Sequence, residues 1–181
     1  MNKPDEFKID DDKVFGQLVN TYKERIYAVV LRIVKNKDEA KDLAQEAFVK
    51  AYQNRKSFRR ESGFYTWVYR IAVNLSLNYI KRNRDRQAES LDFVTPSSLS
   101  KSQPDQIERA ELGQNISAAI DKLPARQKTV FVLRHYEEKP HAEIAEILSI
   151  TEGAVKANYH QAVQKLKTYL GLYLAEGRQV Q

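Results

Sequence analysis

Apolar residues recur three and four positions apart over most of the first eighty residues, the period of amphipathic helices. Phe15, Leu18, Val19, Tyr22, Ile26, Val29 and Val30 mark one long helix that runs to about Lys35. "NKDEAKDLAQEAFVKAYQN" predicts a second, with Ala40, Leu43, Ala44, Ala47, Phe48 and Ala51 as its buried stripe. Asp38 and Glu39 fall in its first turn, where carboxylates suit the helix dipole. The other face of that helix carries Asp42, Gln45, Glu46 and Val49. Beyond the basic stretch "RKSFRRESG", "FYTWVYRIAVNLSLNYIKR" predicts a third helix. Its stripe is Phe64, Val68, Ile71 and Leu75, with Trp67 and Ala72 at the edges. Tyr65 and Tyr69 fall off the stripe, and Arg70, Asn74 and Lys81 line a separate polar face.

From about Asp85 the periodicity dissolves. "FVTPSSLSKSQPDQ" holds Pro and a run of Ser with little to bury, so residues 85–105 read as a flexible linker. Fully extended, such a segment reaches up to ~70 Å at ~3.3 Å per residue. Ile107, Leu112, Ile116, Ala119, Ile120 and Leu123 then mark a helix that stops before Pro124. "ARQKTVFVLRHYEE" predicts the next, with Val130, Leu133 and Tyr136 inward. A short helix, His141 to Leu148, meets Ser149, Ile150 and Thr151 before a longer one begins at Glu152, which is helix-turn-helix spacing. Ala145, Ile150 and Val155 can pack in the crook, and Thr151 suits the N-cap. The expected fold is all-α: a helical domain over residues 1–84, a linker over 85–105 and a helix-turn-helix domain over 106–181. No internal repeat is visible, which argues against a solenoid.

Charge sharpens this picture. The net charge is +6, yet residues 55–86 alone carry +7, from nine basic groups against Glu61 and Asp85. Cations interleaved with rings suit single-stranded nucleic acid, whose phosphates need positive charge and whose unstacked bases need π-faces. The chain has no Cys, which excludes disulfides and thiolate metal sites and points to a reducing cytoplasm. The start, "MNKPDEFKIDDDK", is too acidic for a signal peptide. The best apolar run, Ile26 to Val34, is broken by Arg32 and too short to span a bilayer, so no membrane insertion is expected. His135, His141 and His160 lack metal-ligand spacing, and no Gly-rich phosphate loop or nucleophile pair is evident. No catalytic residue, metal or cofactor is expected.

Three stretches, in order, resemble the extracytoplasmic-function (ECF) group of bacterial RNA polymerase sigma factors: "DEAKDLAQEAFVKAY", "FYTWVYRIAVN" and "LPARQKTVFVLRHYEEKPHAEIAEILSITEGAVK". The match runs from about Phe15 to Leu170. The resemblance implies an initiation factor that binds core RNA polymerase and promoter DNA, with an anti-sigma factor as a further candidate partner. It implies that Asp42, Gln45, Glu46 and Val49 dock on the polymerase clamp. Tyr65, Trp67 and Tyr69 would stack on the melted downstream (minus ten) element, although Trp67 fits the core equally well. Arg70, Asn74, Asn78, Lys81 and Arg82 would contact phosphates or a flipped base; Asn78 stands where the family commonly has Asp. The helix from Glu152 would enter the major groove of the upstream (minus thirty-five) element, presenting Glu152, Lys156, Ala157, Asn158, His160 and Gln161. That helix is poorer in Arg than is usual for the family, and its Asn and Gln suit adenine edges. The rival is a stand-alone helix-turn-helix regulator of duplex DNA, which would leave the aromatic cluster and the Asp42–Glu46 face without purpose.

Overall fold

A computed structural model describes residues 9–58, 63–89 and 104–177, with side chains up to residue 84 and from 113 to 171. Among the described residues all regular structure is helical, in the order α1 (Asp12–Val34), α2 (Lys37–Gln53), a 3-10 turn (Arg55–Ser57), α3 (Phe64–Glu89), α4 (Pro104–Asp121), α5 (Ala125–His135), α6 (His141–Leu148) and α7 (Glu152–Gly177). None of these helices is long and apolar enough to cross a membrane.

Local chemistry sets the breaks. Asp11 caps α1 by accepting from the Lys13 and Val14 amides at 2.8 and 3.4 Å. Lys35 turns left-handed at φ 63° to end it, with its amide donating to the Leu31 carbonyl. Asn36 immediately caps α2, accepting from Asp38 and Glu39 amides at 3.0 and 3.2 Å. This short link folds α2 back along α1. The small residues Ala40, Ala44, Ala47 and Ala51 are buried on α2 and let it approach α1 and α3 closely. Phe64 sits among the rings of Phe15, Tyr22 and Trp67, with centroids 5.5, 6.1 and 6.3 Å away. Such edge and tilted contacts add to the burial of the rings themselves.

In the second domain α4, α5 and α6 all pack on α7. Ile120, Leu123, Phe131, Ala162 and Leu166 form one cluster there. The buried hydroxyls Ser76 and Thr129 donate to the carbonyls of Ala72 and Ala125, four residues back on their own helices. Lys128, buried on α5, is held by Asp121 at 2.7 Å. Burial lowers its ammonium's pKa and the Asp121 carboxylate works against that shift.

Three sequence expectations shift. The buried set of α3 is Phe64, Val68, Tyr69, Ala72, Val73, Ser76, Leu77 and Ile80, whereas Ile71 and Leu75 are only half-buried. The cause is a second covering surface: α3 packs on α5 and α6 as well as on α1 and α2, and the buried cluster runs continuously across both domains. Tyr136, expected inward, is 45% exposed because it follows the end of α5. Helix α3 runs on to Glu89 and α4 starts at Pro104, so both ends of the expected linker are helical. The charged and amide residues after Lys81 are competent helix formers that leave no apolar period to read. Residues 90–103 of the expected linker lie outside the described residues.

Candidate nucleic-acid interface

Helix α2 presents Asp42, Gln45, Glu46 and Val49 to solvent, Val49 being 53% exposed. Glu46 pairs with Lys50 one turn on, at 3.4 Å. Beside them an open groove of about 720 Å³ lies between α1 and α2, lined by Val19, Lys23, Tyr27, Lys41, Gln45 and Phe48 among others. The α1 wall of this groove escaped the sequence reading. Val19, which the period placed on the buried stripe of α1, is only half-buried and lines this wall together with Tyr27.

Helix α3 separates the aromatic set that the sequence placed together. At about 100° per residue, Trp67, Arg70, Asn74, Asn78 and Lys81 share one side, and Tyr65 and Tyr69 lie on the opposite one. Trp67 is half-buried, tilted against Phe58 with ring centroids 4.8 Å apart, and lines a groove of about 360 Å³ with Lys50, Arg70, Asn74 and Asn78. Asn78, Lys81 and Arg82 are exposed. Tyr65 leans on Tyr22 at 5.2 Å beneath the Arg25 guanidinium, 4.7 Å from its ring. Burial raises its phenol's pKa, with Arg25 opposing. Tyr69 is 1% exposed, its hydroxyl has no partner, and Lys139 of the second domain lies 5.2 Å from its ring centroid. Burial holds its phenol well above the ordinary tyrosine range. In this arrangement Tyr69 offers no free ring face for a base, and Tyr65 is half-buried against Tyr22 and Tyr69.

The second domain completes a helix-turn-helix. Ser149 turns left-handed at φ 52°, the Ile150 amide donates to the Ala145 carbonyl at 3.0 Å, and Thr151 caps α7 by accepting from the Ala154 amide at 3.2 Å. Val155 is fully buried in the crook. Glu152, Lys156, Ala157, His160 and Gln161 are exposed along α7. Asn158 is half-buried, and its amide donates back to the Ala154 carbonyl. Gln161 accepts from the buried Gln127 amide at 2.7 Å, a support on α5 that periodicity could not announce. Glu152 and Lys156 pair across one turn at 3.9 Å.

Residues 18–86 match Sigma-70 region 2, and residues 113–166 match Sigma-70, region 4. The ECF RNA polymerase sigma factor SigW of Bacillus subtilis is 36% identical over 172 residues, covering 90% of this chain and 92% of that one. The RNA polymerase sigma-H factor of Pseudomonas aeruginosa is 34% identical over 176 residues, covering 92% and 91%. The sigma factor RpoE from Bartonella quintana, solved in complex with the anti-sigma factor NepR, shares the fold over 88% of this chain and 98% of its own, with a TM-score of 0.64 at 23% identity. A region 2 domain ahead of the helix-turn-helix removes the stand-alone regulator. Both regions occur in order, and relatives of this identity align over most of its length: the chain belongs to the ECF RNA polymerase sigma factors.

Proposed function

We propose that this sigma factor, which binds core RNA polymerase and directs promoter-specific initiation, divides that work among three separate surfaces. Asp42, Gln45, Glu46 and Val49, with the adjoining α1–α2 groove, dock on the polymerase clamp. The acidic and amide face of Asp42, Gln45 and Glu46 suits a basic helical protein surface, and the adjoining groove offers apolar walls with a rim of mixed charge. Trp67, Arg70, Asn74, Asn78, Lys81 and Arg82 take the melted strand of the downstream element. Here a ring is available for stacking, amides for base edges and cations for the backbone. The observation that carries this reading is the alignment of those groups along one side of α3, flanking a groove. Helix α7 reads the upstream element with Lys156, Ala157, His160 and Gln161, while Glu152 orients Lys156. The role is binding rather than catalysis. An anti-sigma factor is a reasonable further partner, since the RpoE structure holds one.

The test is to add the purified protein to core polymerase with fragmented genomic DNA and sequence what is retained. Recovery of two short elements at one fixed spacing, lost when core is omitted, is the expected result. Recovery of a palindrome without core would overturn the assignment.

A further inference from the structure

We propose that Gln161 reads the upstream element with a fixed hydrogen-bond polarity: Gln127 of α5 holds its amide oxygen, so α7 offers the major groove a donor there and no acceptor. The inference deepens the reading of α7 as the helix that enters the upstream duplex, and rests on it. Gln127 is only 8% exposed, and its amide donates to the Gln161 oxygen at 2.7 Å. A side-chain amide carries its oxygen and its NH2 group on opposite sides of one carbon. With its oxygen turned onto α5, Gln161 points its NH2 group away from α5, and the residue is exposed.

What is buried sets the direction of that bond. The Gln127 oxygen is buried without a partner. Reversing both amides would put the Gln127 nitrogen at that empty position and leave its N–H groups unpaired, and buried orphan N–H groups are rarer than under-satisfied oxygens. Polarity then decides the base. An unrestrained Gln reads adenine by accepting from N6 while donating to N7. A Gln whose oxygen is committed to α5 can only donate, and it meets the N6 amine of adenine donor to donor. Guanine offers two adjacent acceptors, N7 and O6, thymine offers O4 alone, and cytosine offers only a donor. Gln161 therefore favours guanine, with thymine second, where its residue type alone suggests adenine.

The test uses the full chain with core polymerase on duplexes that keep the downstream element recovered as above and randomise the upstream one. The parent should prefer guanine over adenine by roughly tenfold at one upstream position, and Gln161→Ala should flatten that position alone. Gln127→Met, similar in volume and without an amide, releases the Gln161 oxygen and should move that position toward adenine. Gln161→Glu, a change at an exposed side chain, keeps the bond from Gln127 but presents only an acceptor, and should move the position toward cytosine. Adenine chosen by the parent at the position that Gln161→Ala flattens would overturn the proposal. So would guanine retained by a folded Gln127→Met protein. Should Gln127→Met fail to fold, the parent's guanine-to-adenine ratio and the Gln161→Glu selection decide. If Gln161→Ala selects the parent's element unchanged, Gln161 meets no base, and the reading of α7 at this residue fails with the proposal.

Discussion

Replacing Tyr69 by Phe removes one oxygen and tests whether this ring is a packing residue. The side chain is 1% exposed and its hydroxyl has no partner. Burying a hydroxyl without a hydrogen bond costs ~1–3 kcal/mol, so Tyr69→Phe should stabilise the fold by roughly 1 kcal/mol at neutral pH. For a chain of this size that is a rise in Tm of about 2–4 °C. Alkaline pH should widen the difference. Burial holds the folded-state phenol above its unfolded value, so its contribution is complete below about pH 10 and is lost as the pH climbs past that point. At pH 11 the native chain should have lost about 1.4 kcal/mol through Tyr69 that Tyr69→Phe keeps. Tyr69→Ala, by contrast, empties a fully buried site and should cost ~3–5 kcal/mol. Urea titrations of the three proteins at pH 7, 9 and 11 supply every value needed. A Tyr69→Phe protein less stable than the parent by more than about 1 kcal/mol would show that the hydroxyl is bonded, and the packing argument would fall.

Gln45→Ala with Glu46→Lys should weaken core polymerase binding in a pull-down while changing stability by no more than ~0.5 kcal/mol, since both side chains are exposed on α2. Trp67→Ala should slow duplex opening by roughly tenfold or more, given ~1–3 kcal/mol per stacked base, and a pre-melted bubble should recover most of the loss. Asp121→Asn leaves the Lys128 ammonium without its carboxylate. It should cost ~1.5–3 kcal/mol in urea unfolding, toward the lower end because Asp121 itself is partly exposed.

Helices α1 and α2 were legible because each buries a single stripe. Phe15, Leu18, Tyr22, Ile26, Val29 and Val30 are all buried where the period of α1 puts them. The crook of the helix-turn-helix was legible for a similar reason, as Ala145 and Val155 are local neighbours of the turn. Helix α3 was misjudged because its second buried side meets residues some seventy positions later in the chain. A local period cannot tell a face that meets solvent from one that meets α6. Val73, Leu77 and Ile80 thus fall outside the predicted stripe, and Tyr69 falls off it, although all four are buried. The grouping of Tyr65 and Tyr69 with Trp67 was what the family resemblance implied, and the helical wheel sets the two tyrosines on the side of α3 opposite Trp67.

The packing of α5 and α6 on α3 bears on how the two domains influence one another. Arg70 and Asn74 can serve Glu146 and Ile147 or a promoter strand, but not both at once. Closure and strand capture therefore exclude each other, and any ligand that favours the open arrangement must tighten strand binding. By linkage the strand must tighten that ligand by the same factor. Core polymerase on α2 and upstream duplex on α7 are the natural candidates, because Val49, Lys156 and His160 are exposed in this arrangement. Neither acts by contact alone. A ligand that binds the closed and open forms equally shifts nothing, however tightly it binds. The pull would have to come from geometry, with core and upstream DNA together separating α5 and α6 from α3. A promoter whose two elements are both present should then open faster than the product of the two single-element effects. Opening rates on four templates, with both elements, each one alone and neither, measure that excess directly; simple multiplicativity would mean the domains act independently.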